Sequence, residues 1–316
     1  MKKLLVIALS AMMVLAFAAV SMAEATFSGE VDTGLKTYTP NGGDTVSMPY
    51  IFGKVNMDGK LGNNVTGKMV IKSNSDPNCF TNPQDPTNEN LTNNFQFDEA
   101  DVTMNEGFGN LKFGYYGWNN NLKDIVDTLR QDVKSDFVSS ASIKLGEKLN
   151  LGVAYAMPAT DTNGDAKGAN AAKMGVDLGY NADSYGADLM YTNDSNYLTK
   201  ATNGNRAYIL GVQGWYKVGD FKPFVQYETV PGDAYSGVTK MADAPTNIIV
   251  GATYDSAKNP IYARVEYDAA KENAELSNET GIRVGYKLSS GAKIEAQHFE
   301  NNMKQTNDYL KLICAF

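Results

Sequence analysis

Residues 308–316 read DYLKLICAF, and the sequence stops on the aromatic Phe316. At a period of two, Leu310, Leu312, Cys314 and Phe316 fall on one face, with Tyr309 and Lys311 on the other. This is a strand whose apolar face is kept to the final residue, whereas the ends of soluble domains fray in water. The fold turns on what that face touches.

The opposite end supplies a constraint. Lys2 and Lys3 precede an apolar run from Leu4 to Val20, and Ser21-Met22-Ala23 is a small-x-small cleavage pattern. Residues 1–23 therefore read as a secretory signal peptide that is removed, leaving a chain that begins near Glu24. The 28 Lys and Arg against 36 Asp and Glu give a net charge of −8, and the leader holds two lysines and no acid. An exported, acidic chain argues against a nucleic-acid partner. No stretch after the leader is apolar enough for a membrane helix, but a membrane β-barrel hides its apolar content in every second residue.

The alternation of 308–316 recurs along the whole chain. Phe27, Val31 and Leu35 share a face across Thr26–Thr37, opposite Glu30, Asp32 and Lys36. Sixteen such runs can be counted, among them Ile51–Leu61, Val65–Ser73, Asn110–Trp118, Ala172–Tyr180, Pro260–Asp268, Thr280–Leu288 and Tyr309–Phe316. Each has about the length of a tilted strand crossing a hydrocarbon core. Short connections such as 62–64 and 146–148 take turns with long ones such as 38–50, 74–94, 119–136, 269–279 and 301–308. The pattern predicts an all-β fold: a 16-stranded antiparallel up-and-down transmembrane barrel over 24–316, with short periplasmic turns and long external loops. Tyr180, Tyr185, Tyr216, Phe221, Tyr254, Tyr286 and Phe316 then fall at periplasmic strand ends. Tyr50, Tyr191, Tyr208, Tyr227 and Tyr267 fall at external ends, as two interfacial girdles.

With sixteen strands, eight long loops and a terminal Phe, the chain resembles the general porins of Gram-negative bacteria over its whole exported length. The resemblance implies a passive, water-filled diffusion channel for small hydrophilic solutes and ions in the outer membrane, with neither cofactor nor catalysis. A solute-specific channel, or a closed barrel whose external loops bind a partner, is the alternative. The resemblance also implies a homotrimer surrounded by lipid and lipopolysaccharide. The family's C-terminal strand, ending here in Phe316, serves the outer-membrane assembly machinery; Cys314 stands where relatives often carry an aromatic. In relatives the third external loop folds inward, and the matching segment is 119–136, with Asp124, Asp127, Asp132 and Arg130. Lysines on the polar faces of the first three strands are Lys36, Lys54, Lys60, Lys68 and Lys72. The resemblance turns them toward that loop as the other side of a constriction. Leu122, Ile125, Val126 and Leu129 have helical spacing, which predicts a short helical turn within the loop.

Several residues invite other readings. Cys79 and Cys314 fall at opposite ends of the barrel, so no disulfide is expected within one chain. His298 is the only histidine, and it reads as a residue at the membrane interface rather than part of a triad. Asp161–Ala166, DTNGDA, matches the first half of a calcium loop but lacks the Gly and Glu that complete it; it reads as a polar loop, with loop-bound calcium as the alternative. Arg264, Glu266, Arg283 and Lys287 share inward faces and read as one salt-bridge network. Inward Gly114, Gly152, Gly175, Gly179 and Gly285 read as space left open for a pore.

Overall fold

A computed structural model describes residues 25–73, 95–118, 126, 133–134, 137–157, 172–193, 207–232, 234–236, 239–241, 243–272, 275–302 and 304–316. Sixteen strands close into one antiparallel barrel, each bonded to its sequence neighbours and the last to the first. They are β1 (Ala25–Thr39), β2 (Val46–Lys60), β3 (Val65–Ser73), β4 (Phe95–Glu106), β5 (Gly109–Tyr115), β6 (Val138–Lys144), β7 (Leu149–Ala156) and β8 (Lys173–Asn181). The ring continues with β9 (Tyr185–Thr192), β10 (Ile209–Tyr216), β11 (Phe221–Thr229), β12 (Thr246–Asp255), β13 (Ile261–Glu272), β14 (Glu275–Ser289), β15 (Ala292–Asn301) and β16 (Thr306–Ala315). Closure leaves no unpaired sheet edge, the condition for backbone in a hydrocarbon layer.

The outer wall is apolar because every second residue is. Leu210, Val212, Ile248, Val250, Val265, Ile282, Val284 and Leu310 are all exposed, and they alternate with buried Gln213, Glu228, Asn247, Glu266 and Lys311. A continuous exposed apolar belt is costly in water and stable in lipid. Phe316 belongs to this belt. Its N–H donates to Gly29 O at 3.1 Å and its carbonyl accepts from Gly29 N at 2.9 Å, so the ladder between β16 and β1 runs to the last residue. The Phe316 ring lies over Gly29, where an added Cβ would come within 2.9 Å of Cε1.

Girdle aromatics meet in pairs across adjacent strands: Tyr180 with Tyr185 and Tyr191 with Tyr208, both at 5.8 Å between ring centroids, and Phe221 with Tyr254 at 4.9 Å. Tyr50 is a correction to the expected external girdle. Its neighbour Ile51 is 68% exposed on the outside, so parity turns Tyr50 inward, where it is buried. His298 lies on the outward parity of β15, with Nδ1 2.6 Å from Asp308 Oδ1. Cys314 is free and exposed; Cys79 and the 161–166 segment lie outside the described residues.

Three external connections are shorter than expected. Only 40–45, 273–274 and 302–305 separate their strands, and β13 pairs with β14 up to Glu272 and Glu275. Beyond the lipid both faces of a strand can be polar, so alternation fades while the backbone ladder continues. Gly117–Trp118 also leaves the expected fifth strand; it pairs with Val133–Lys134 in a separate ribbon.

Candidate functional site in the barrel lumen

Inward parity gathers the charges. One cross-strand row on the inner wall runs Lys222, Thr253, Arg264, Arg283, Gln297, Tyr309 and Lys36, each opposite the next across β11 to β1. Four cations thus lie along a single ladder row. The expected network of Arg264, Glu266, Arg283 and Lys287 separates into distinct groups. Arg264 pairs with Glu266 next along its own face, and Lys287 pairs with Asp255. Arg283 faces Gln297, donating from Nη2 at 2.7 Å, and approaches Glu295 at 3.6 Å.

Glu295 is the centre of that last group. It accepts from Tyr262 OH at 2.6 Å and from Tyr309 OH at 2.8 Å, and lies 3.3 Å from Lys311 Nζ, which reaches Asp32 at 3.5 Å. Glu295 and Lys311 are almost wholly buried, and a buried charge is tolerable only when paired and hydrogen-bonded. The sequence reading missed this group. Its signal was present, since Glu295 and Lys311 alternate with Ile294, Ala296, Leu310 and Leu312; closure of the last strand on the first was expected, and what was missing was the register that sets Lys311 opposite Glu295 and within reach of Asp32.

The five candidate lysines are all on the polar parity of β1–β3, at different heights. Lys36 is buried near the external end of β1, whereas Lys60 is exposed as the last residue of β2, at a periplasmic turn. Lys54 stands between Glu30 and Lys72 in the ladder. Lys68 pairs with Glu99 at 2.7 Å and Lys72 with Asp98 at 2.8 Å. Carboxylates of β4 therefore offset much of the positive charge of that wall. Asp101, paired with Lys112 at 3.0 Å, extends the offset.

Asp124, Asp127, Arg130 and Asp132 lie outside the described residues, as does the expected helical turn apart from Val126. The described residues of the segment and its stem lie against the inner wall. Val126 is fully buried against Phe224 and Ile249, with Trp215 beside them. Its N–H donates to Glu266 Oε2 at 3.0 Å, a contact between residues 140 positions apart. Trp118 packs on a buried cluster of Tyr116, Val133, Val138, Ala154 and Ala156.

That indole fills the space expected to be open at two of the inward glycines. A Cβ at Gly175 would lie 2.8 Å from Trp118 Cε3, and one at Gly152 would lie 3.2 Å from Cζ2. Gly285 receives the Tyr262 ring and Gly179 the Asp188 carboxylate, while Gly114, at φ 145°, lets the backbone of Ala100 and Asp101 approach closely. Except at Gly114, these glycines are notches for neighbouring side chains. Among the described residues, a polar cavity of about 800 Å³ is lined by Asn150, Asp177, Gly179, Asp188, Gln213 and Lys222 among others, so Gly179 also borders open space.

Comparison with known proteins agrees with this geometry. A family model described as Gram-negative porin matches residues 8–306. A Salmonella typhi OmpF structure, solved in complex with daunomycin, superposes with a TM-score of 0.66 at 14% identity, covering 92% of this chain and 97% of that one. A multiply substituted porin of Rh. blastica superposes at 0.66 with 12% identity, covering 92% and 100%. A loop-deletion mutant of OmpT from Vibrio cholerae superposes at 0.60 with 15% identity, covering 92% and 99%. No curated protein matches the sequence.

Proposed function

This chain belongs to the Gram-negative porins and forms a diffusion channel in the outer membrane, and on that premise we propose a passive, general pore for small hydrophilic solutes and ions, narrowed by segment 119–136. The observation that carries the narrowing is the hydrogen bond from Val126 N–H to the inward Glu266. A loop residue held by the wall of a closed barrel must occupy part of the passage. The loop side of the proposed constriction is assigned to Asp124, Asp127 and Asp132, with Arg130, from the sequence. Lys36, Lys54, Lys68 and Lys72 contribute from the β1–β3 side, weakened where Lys68 and Lys72 are ion-paired, whereas Lys60, at the periplasmic turn, drops out of the expected set. The row Lys222, Arg264, Arg283 and Lys36 adds positive charge that the sequence reading did not weigh in the constriction. Opposed charges across a narrow, low-dielectric passage make a transverse field in which polar solutes align and apolar ones must break ordered water.

The channel needs no energy source and no catalytic group. It is exported through the 1–23 signal peptide and inserted by the barrel assembly machinery through the Phe316 strand. It works as a homotrimer among lipid and lipopolysaccharide. External loops rich in Asp and Glu give it a weak preference for cations. Single-channel recording of the refolded protein in a planar bilayer under a salt gradient tests this. Large steps with a small cation-side reversal potential are expected. A folded barrel that does not conduct refutes the open-pore reading, and current blocked at low concentration by one solute class refutes the general one.

A further inference from the structure

We infer that Glu266 is a positioning residue of the pore, setting its width and its charge through the two oxygens of one carboxylate. This inference rests on the open-channel reading and deepens it. Glu266 has no solvent exposure. A carboxylate in that position is expensive unless it is bonded on several sides. Its Oε2 accepts the backbone N–H of Val126 at 3.0 Å. Its Oε1 accepts from Nε of Arg264, two residues away on the same inner face. Charge-assisted hydrogen bonds of this kind are roughly twice as strong as neutral ones.

Each bond controls a different property. The bond to Val126 fixes where the incoming segment meets the wall, with Phe224 and Ile249 completing the seat. A backbone donor is used, so the hydrogen bond itself is indifferent to the side chain at 126, while the apolar seat is not. The bond to Arg264 offsets one cation in the row that contains Lys222, Arg283 and Lys36. Arg264 also stands over the Phe224 ring at 5.2 Å, so the same guanidinium touches the floor on which Val126 rests. Width and charge are coupled at this point by shared atoms.

The two roles separate by substitution. Glu266→Gln keeps a side-chain oxygen able to accept from Val126 but removes the negative charge. It is expected to hold wild-type conductance while the reversal potential moves toward anions. Val126→Pro removes the N–H and leaves the Glu266–Arg264 pair. It is expected to change conductance and raise open-channel noise while the reversal potential stays. Glu266→Ala loses both bonds, and both readouts are expected to move. All are measured as refolded barrels in planar bilayers under a KCl gradient, with heat-modifiable electrophoresis to establish closure. If Glu266→Ala matches wild type in conductance and reversal potential, or if Glu266→Gln changes conductance as much as Glu266→Ala does, the assignment is wrong. These two variants decide the matter even where the proline variant does not close. A wild-type barrel that fails to conduct removes the channel reading itself and is a separate outcome.

Discussion

Gly175→Ala should destabilise this barrel, although simple strand preference says the reverse. Replacing Gly with Ala inside a regular element ordinarily gains about 0.5–1 kcal/mol, because Gly loses more backbone freedom on folding. Here the new methyl would lie 2.8 Å from Trp118 Cε3 and 3.1 Å from Cη2. The indole is half-buried on a cluster of Tyr116, Val133, Val138, Ala154 and Ala156, with Ala154 the ladder partner of Gly175, so displacing it breaks that packing. Forcing an extra carbon into a packed seat costs about 1–3 kcal/mol. The clash outweighs the backbone gain, leaving a net loss of about 1–2 kcal/mol. Equilibrium unfolding in urea from lipid vesicles measures it. Gly152→Ala is the internal control, since its Cβ would sit at 3.2 Å and the ring can shift by a few tenths of an ångström; a change near zero is expected. The decisive comparison is Gly175→Ala in a Trp118→Ala background. With the indole gone, the clash term vanishes and the substitution should become stabilising by about 0.5–1 kcal/mol. Stabilisation in the native background, or an undiminished cost in the Trp118→Ala background, refutes the notch.

Three further outcomes follow from the same geometry. Tyr262→Phe removes the 2.6 Å hydrogen bond to Glu295 and should cost about 1.5–3 kcal/mol of unfolding free energy, read from the same urea titration; no change would mean that Lys311 and Tyr309 already satisfy Glu295. Deleting Phe316 removes both ladder bonds to Gly29 and the ring that covers it, so heat-modifiable electrophoresis should show a smaller closed-barrel fraction after refolding; an unchanged fraction would show that β16 closes without its last residue. Changing Asp124, Asp127 and Asp132 to Lys should shift the reversal potential toward anions, and an unmoved potential would remove those residues from the constriction.

The lumen is less open and more built than its composition suggests. Charges on β3–β5 are matched in pairs across adjacent strands, as in Lys68–Glu99, Lys72–Asp98 and Lys112–Asp101. Such ladders fix the wall side chains in place and reduce the net field they project. The described residues of the segment's stem meet the wall on β5–β8, and Val126 meets it on β11–β13. The stem thus joins the paired wall at Lys112, which lies over the Tyr116 ring at 4.1 Å, while Val126 is held on a different arc of the ring.

Sequence alone determined the crossing strands, their number and the side each residue faces. Those properties are local. A strand between lipid and water must alternate, and parity is written in consecutive residues such as Leu310, Lys311 and Leu312. Tyr50 was misplaced when position at a strand end was weighed above its parity relative to Ile51. Strand tops were misjudged at Glu272–Glu275 because alternation ends where lipid ends, while backbone pairing does not. Tertiary structure decided everything that joins distant residues. Lys311 meets Asp32 across 279 positions only because the ring closes. Val126 meets Glu266, and Trp118 fills Gly152 and Gly175, because a segment turns inward against strands far along the chain. A glycine on an inward face reads the same whether it borders water or an indole; only the packed neighbour tells the two apart, and packing is not a property of one strand.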